Sequence, residues 1–396
     1  MTARPSIRFR SNKSTQALQF GAPWAYADQL VLDRRARTLS PGSLVTLEDA
    51  DRVPLATAAF NPKSKIAARV LDRDVDVEIG RTWMDARLGA AFELRDRLYQ
   101  TPYYRLAHAE ADGLPGVVVD RYGEAIVVQP NAAWAETKLD ALVASLAALP
   151  GVRVVRKCAS GRARALEGLD DRSETLVGEI KGPVQVQMNG AIYMADIEGG
   201  QKTGLFYDQR DTHAMMQRFA RGARVLDVFS HVGGFSLAAL AAGAERAVAV
   251  DASRPALDLA EEGARAAAVH GRLETVRGDG IDTMAGFAAE GTLFDIVVCD
   301  PPAFAPAKAA LEAGLRAYER VARKAAPVVA PGGLLVLCSC SHAVDPARFR
   351  DVCLKGVGRA GRRCQILHQG GAGPDHPRHP FLAESAYLKS LFLRLI

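Results

Sequence analysis

Four aspartates stand at the ends of short apolar runs: Asp227, Asp251, Asp279 and Asp300. Between the first two, Phe229-Ser230-His231-Val232 runs into Gly233-Gly234 and an alanine-rich stretch. Glycines at a strand-to-helix turn let a ligand approach the backbone closely. In an open parallel sheet, ligands lie outside the carboxyl ends of the strands, where these acids fall. Asp251, about 20 residues past the loop, is spaced to accept hydrogen bonds from ribose hydroxyls. Asp279, between Gly278 and Gly280, can accept an adenine amine, and Asp300 opens Asp300-Pro301-Pro302. The pattern is not GxGxxG, and Asp227 beside the loop would repel a pyrophosphate at the helix start. The same carboxylates attract a sulfonium and an ammonium. The tetrad therefore suits S-adenosylmethionine and methyl transfer better than a dinucleotide.

Positioning these acids takes strands alternating with helices. Apolar blocks at 224–229, 246–251, 273–277, 294–299 and 334–338, with helices at 235–242 and 255–270, predict a parallel sheet covered on both faces. Upstream, short β-type runs between 41 and 77 suggest a small barrel-like domain. A helix over 81–99, with Trp83, Leu88, Phe92, Leu94 and Leu98 as its apolar positions, opens a central unit. That unit continues with strands at 106–109, 116–120 and 125–129, a helix at 133–148, a strand at 152–157 and a hairpin at 184–188 and 191–196 across Asn189-Gly190. The expected domains are residues 1–76, 77–196 and 197–396.

With 396 residues, 48% hydrophobic and 24% charged, the chain can bury two or three cores and lacks the bias of a disordered protein. No run approaches the roughly 18 apolar residues of a membrane span, and no export signal precedes the fold, so no membrane partner and a cytoplasmic location are expected. The six cysteines are then reduced thiols, and Cys338-Ser339-Cys340 is too tight for a zinc knuckle, so no metal is expected. The net charge of +5 is localised: residues 1–74 hold 12 Lys/Arg against 7 Asp/Glu, while the remainder is balanced. A localised basic surplus is the footprint of a polyanion partner, or simply a solvated basic face.

The motifs Arg105-Leu106-Ala107-His108-Ala109-Glu110, Asp112-Gly113-Leu114-Pro115-Gly116, Gly200-Gln201-Lys202-Thr203-Gly204, Asp208-Gln209-Arg210, Ser339-Cys340-Ser341, Asp375-His376-Pro377 and Tyr387-Leu388-Lys389 occur in one order with the loop and the Asp-Pro-Pro above. In that order the chain resembles the bacterial family that methylates carbon 5 of cytosine in 23S ribosomal RNA. The resemblance implies an N-terminal PUA domain, a central α/β domain and a class I, Rossmann-like methyltransferase domain. The family usually carries Tyr-Thr where this chain has His231-Val232, and the N-terminal domain keeps little beyond Pro23-Trp24 and Arg69.

By resemblance, S-adenosylmethionine is the cofactor, held by Asp208, Arg210, Asp227, Phe229, Ser230, Gly233, Asp251, Ser253, Asp279, Gly280 and Asp300. Lys202, Pro302, Phe304, His376 and Lys389 are expected on the RNA side, with an ordinary C-terminal hairpin as the alternative for the last two; a homodimer is left open. Carbon 5 of cytosine is a poor nucleophile until a thiolate adds at carbon 6. Cys340 matches the nucleophile motif, whereas Cys299 and Cys338 lie inside their strands and read as core. Asp300, in a pocket walled by Pro301, Pro302 and Phe304, would hydrogen-bond the base near ring nitrogen 3 with a carboxyl pKa raised by desolvation. The base that removes the carbon 5 proton is open between Asp300, Cys299 and a water. Two rivals are a guanine or adenine nitrogen methyltransferase, which needs no thiol, and a non-catalytic RNA-binding factor that has kept the fold.

Overall fold

The computed structural model describes residues 4–200 and 204–396. The chain forms two compact units, Met1–Lys181 with Pro374–Ser385, and Gly182–Gly373 with Ala386–Ile396. No helix among the described residues is long and apolar enough to cross a membrane.

The first unit contains two five-stranded sheets. In one, Ser6–Arg8, Ser43–Glu48, Pro54–Phe60, Ile66–Asp72 and Trp24–Tyr26 lie side by side in that order. Their alternation places Val45, Leu47, Ala56, Ala58 and Phe60 in a buried core. The other sheet orders Glu174–Val177, Val154–Lys157, Ala125–Pro130, Val117–Tyr122 and Tyr103–His108. It shares a core with Trp83, Leu88 and Trp134.

The helix Arg81–Leu98 forms, but its buried face differs from the sequence expectation: Leu94 and Leu98 are exposed and Arg95 is fully buried. The reason is pairing. Arg95 donates from Nη1 and Nη2 to the two carboxylate oxygens of Asp112 at 2.6 and 2.8 Å, and further to the carbonyls of Arg105 and Asp375. A guanidinium so satisfied can replace an apolar side chain inside. The expected helix over 133–148 is broken at Lys138 into Ala133–Thr137 and Leu139–Ala147.

In the second unit, β1 (Arg224–Val228), α1 (Gly234–Ala241), β2 (Arg246–Asp251), α2 (Arg254–Ala266), β3 (Leu273–Arg277), α3 (Gly280–Ala289), β4 (Phe294–Cys299), α4 (Leu311–Ala325), β5 (Val329–Ser339), α5 (Pro346–Arg359), β6 (Cys364–Gly370) and β7 (Lys389–Leu395) follow one another. The sheet order is β3-β2-β1-β4-β5-β7-β6, with β7 antiparallel to both neighbours. The order reverses beside β1, so a crevice is expected over the ends of β1, β2 and β4. The hairpin Val184–Met188 and Ala191–Ala195, read from sequence as central, belongs to this unit, packing on α1 and α2. Tyr193 in it donates to the Gly234 carbonyl at 3.3 Å and stacks on His213. The segment carrying Asp375 and His376 falls instead in the first unit.

Removing one partner of a buried ion pair strands the other, at about 3–5 kcal/mol. Arg95→Met is therefore expected to lower stability by that order in urea unfolding, while Leu94→Ala, at an exposed site, should change it by less than about 0.5 kcal/mol.

Candidate active site

Residues at the carboxyl edge of the parallel sheet are held by backbone amides. After β1 the chain turns through Phe229 (φ 65°), His231 (φ 50°) and Gly233 (φ 76°). Left-handed non-glycine residues cost on the order of 1–3 kcal/mol each and persist only where neighbours fix them. Here the Ser230 amide donates to the Val250 carbonyl at 3.0 Å and the His231 amide to Asp251 Oδ2 at 2.8 Å. Asp251 Oδ1 accepts from the Ser253 amide, and the Ser253 hydroxyl caps α2. Asp279 caps α3, accepting from the amides of Ile281 and Asp282. Gly280 is required by close packing: a Cβ there would lie 2.5 Å from Val228 Cγ1 and 3.0 Å from the Phe229 ring.

Asp227 is fully buried. Its Oδ2 accepts from the amide and hydroxyl of Ser236 at 2.8 and 3.0 Å, while Oδ1 has no hydrogen-bond partner among the described residues. Burial pushes its pKa up to about 6, partly offset by the Ser236 bonds and reinforced by the charge of Asp251. The hydroxyl of Ser230 is likewise buried without a partner among the described residues. Thus the acids of the sequence tetrad also do structural work as caps and loop anchors, which the spacing argument did not foresee.

Cys340 follows β5 directly and is half-buried, whereas Cys299 and Cys338 are enclosed in the core. Burial pushes the thiols of both enclosed cysteines up. Strand register sets Cys299 beside Leu337, so Asp300 and Cys340 leave adjacent strands at the same edge. The two loops are tied through Ser341, whose hydroxyl accepts from the Ala305 amide at 3.0 Å and shares a hydrogen bond with Tyr318 at 2.7 Å. Phe304 lies against Tyr318, ring centroids 5.0 Å apart, and Pro302 is exposed.

Gln209, which sequence reasoning passed over, donates from Nε2 to Asp300 Oδ2 at 2.8 Å. Its Oε1 is buried without a partner among the described residues. Its position between Asp208 and Arg210 was the available signal. Asp208 accepts from the Tyr387 hydroxyl at 2.6 Å, and Arg210 is buried with its guanidinium 5.8 Å from the Tyr207 ring.

Two residues expected on the RNA side are internal. Lys389 is only 5% exposed and donates from Nζ to the carbonyls of Ser341 at 2.6 Å and Val344 at 2.9 Å. His376 lies buried in the first unit, Nδ1 2.9 Å from Asp375 Oδ1 and its ring 5.1 Å from that of His108. Both are drawn inward because backbone carbonyls and a buried carboxylate satisfy them better than solvent does. Lys202 lies outside the described residues.

An acidic edge with a buried carboxylate oxygen and a hydroxyl left unsatisfied fits a ligand with a cationic end and a ribose, and would repel a pyrophosphate. Asp251, Asp279 and Asp227 are the residues that would hold it. The folded pKa of Asp227 exceeds the unfolded 3.8. The unliganded protein therefore binds the extra proton between about pH 4 and 6, and stability falls as pH rises through that window. A cationic ligand favours the carboxylate, so the affinity for S-adenosylmethionine should rise about tenfold per pH unit toward pH 6 and then level off. Calorimetric titration in two buffers should register proton release near pH 6, absent in Asp227→Asn.

The S-adenosylmethionine-dependent methyltransferase family matches residues 134–394, and a PUA-like domain matches residues 11–73. A protein of Deinococcus radiodurans named ribosomal RNA large subunit methyltransferase is 34% identical over all of this chain and 98% of its own length. Ribosomal RNA large subunit methyltransferase I of Photobacterium profundum is 35% identical over 93% of this chain and 94% of its own. The fold is also that of SMU.776, solved in complex with SAH, with a TM-score of 0.83 at 20% identity over 99% of this chain and 100% of that one. The chain belongs to the S-adenosylmethionine-dependent methyltransferase family, with a PUA-like domain preceding the catalytic fold.

Proposed function

We propose that the protein methylates carbon 5 of a cytosine in large-subunit ribosomal RNA through a covalent adduct at Cys340. The observation that carries the reading is the placement of a half-buried thiol, tied by Ser341 to the loop that begins at Asp300, on an edge lined by carboxylates. Relatives named for large-subunit ribosomal RNA, matched over nearly their whole length, support the substrate class. The PUA-like stretch supports RNA binding: its ion pairs engage Lys13, Arg69 and Asp72, while Arg34, Arg35, Arg52, Lys63 and Lys65 remain at the exposed surface.

The bound cofactor supplies an electrophilic methyl on a sulfonium. The Cys340 thiolate adds to carbon 6, forming a C–S bond, while the π electrons of the carbon 5–carbon 6 double bond shift to give an enamine across carbons 4 and 5. The Asp300 carboxyl, fixed by Gln209, gives its proton to nitrogen 3 as charge builds there, which leaves a carboxylate able to take the carbon 5 proton. Carbon 5 then takes the methyl, the electrons of the broken bond remaining on the donor sulfur. Loss of the carbon 5 proton to Asp300 or an adjacent water restores the double bond and expels the thiolate. Cys299 is not used as that base: its sulfur is buried 3.8 Å from Met284 Sδ and its thiol is held protonated by burial. The target base must leave its stack at a cost of a few kcal/mol, least in RNA loops.

Cys340→Ala should lower turnover by about 10³-fold or more while leaving S-adenosylmethionine affinity intact; Cys338→Ala should keep the bulk of activity. Bisulfite mapping of large-subunit RNA from cells with and without the gene should show one cytosine mark that depends on it. Full turnover by Cys340→Ala with a methylated purine nitrogen would establish the rival chemistry instead.

A further inference from the structure

Lys389 opens β7, and strand register sets it directly beside Ser339, the residue before Cys340. Its ammonium is almost wholly buried, and its hydrogen-bond partners among the described residues are backbone carbonyls, not carboxylates. Two of its three N–H donors go to the Ser341 and Val344 carbonyls, on the far side of Cys340 from the strand. A buried ammonium without a countercharge is costly unless a negative group can form beside it. We propose that Lys389 is the positioning residue of the Cys340 thiol: pinned to the loop by two carbonyls, its ammonium favours the thiolate that attacks the base.

The inference rests on the reading of Cys340 as nucleophile and deepens it. The groups facing the pair are few. Burial lowers the pKa of Lys389 to about 8, and the negative groups that act against this are first Cys340 and then Asp345, an exposed helix cap bonded to the Arg348 amide. Tyr318, which also senses charge at Cys340, is a neutral phenol bonded to Ser341. Asp300 is engaged by Gln209, and Cys338 is a core thiol that burial keeps protonated. His342, the next side chain on the loop, packs on Tyr387, ring centroids 5.3 Å apart. Lys389 is thus the sole buried cation in that set, and attraction between it and a thiolate is mutual.

Alkylation of the full-length protein by iodoacetamide from pH 5.5 to 10, followed peptide by peptide, tests the pair without RNA or methyl donor. Lys389→Gln keeps two N–H donors for the carbonyls but removes the charge; Lys389→Arg restores charge. The Cys340 midpoint should lie below the roughly 8.5 of an ordinary cysteine, rise by about one pH unit in Lys389→Gln and return in Lys389→Arg. One unit corresponds to about tenfold slower alkylation at neutral pH. An unchanged profile in folded Lys389→Gln overturns the inference. If that variant does not fold, a wild-type midpoint at or above 8.5 overturns it equally. Loss of turnover in Cys340→Ala tests the nucleophile separately, so the two claims can fail independently.

Discussion

The site depends on how the loops at the carboxyl edge of the parallel sheet are kept open and rigid at once. Backbone amides and carboxylates do this in pairs: His231 and Ser253 on Asp251, Ser236 on Asp227, Ile281 and Asp282 on Asp279. Each bond satisfies an amide that the turn would otherwise leave unpaired, and each fixes a negative group at a strand end. Charge-assisted bonds of this type are roughly twice as strong as neutral ones. They hold the left-handed Phe229 and His231 in place, so strain and electrostatics are coupled in one loop.

The thiol side is organised differently, by neutral and cationic donors. Ser341 ties the Cys340 loop to Ala305, Tyr318 supports the same hydroxyl, and Lys389 draws two carbonyls of that loop inward. An acidic half for the cationic donor and a half with a buried ammonium for the thiol follow from one sheet, because β1, β2 and β3 supply the first and β5 with β7 the second. Asp300, at the end of β4, stands where the halves meet.

The parallel core was legible in the sequence because strands buried on both faces read as unbroken apolar blocks, and the acids that end them are conspicuous. What pairs across long sequence distances was not. The place of β7 in the sheet was not legible, beyond an ordinary C-terminal hairpin as an alternative, because its partners, β5 and β6, are antiparallel neighbours whose register no local pattern records. Arg95 was missed as a core residue because helical periodicity counts apolar side chains and cannot see that Asp112 waits across the unit. Lys389 and His376 were placed on the RNA side by family resemblance, whereas carbonyls and Asp375 take them inside. Gln209 went unnoticed since an amide carries no charge signal, though it grips Asp300.

The adduct at Cys340 can be caught directly. In RNA carrying 5-fluorocytosine at the target position, carbon 5 has no proton to lose after methyl transfer, so the enzyme cannot release the base. Incubation with S-adenosylmethionine should give a complex that survives denaturation, and digestion should place the methylated fluorocytosine on the peptide containing Cys340. A methylated product without any protein-linked RNA, or a link through another residue, would contradict the account.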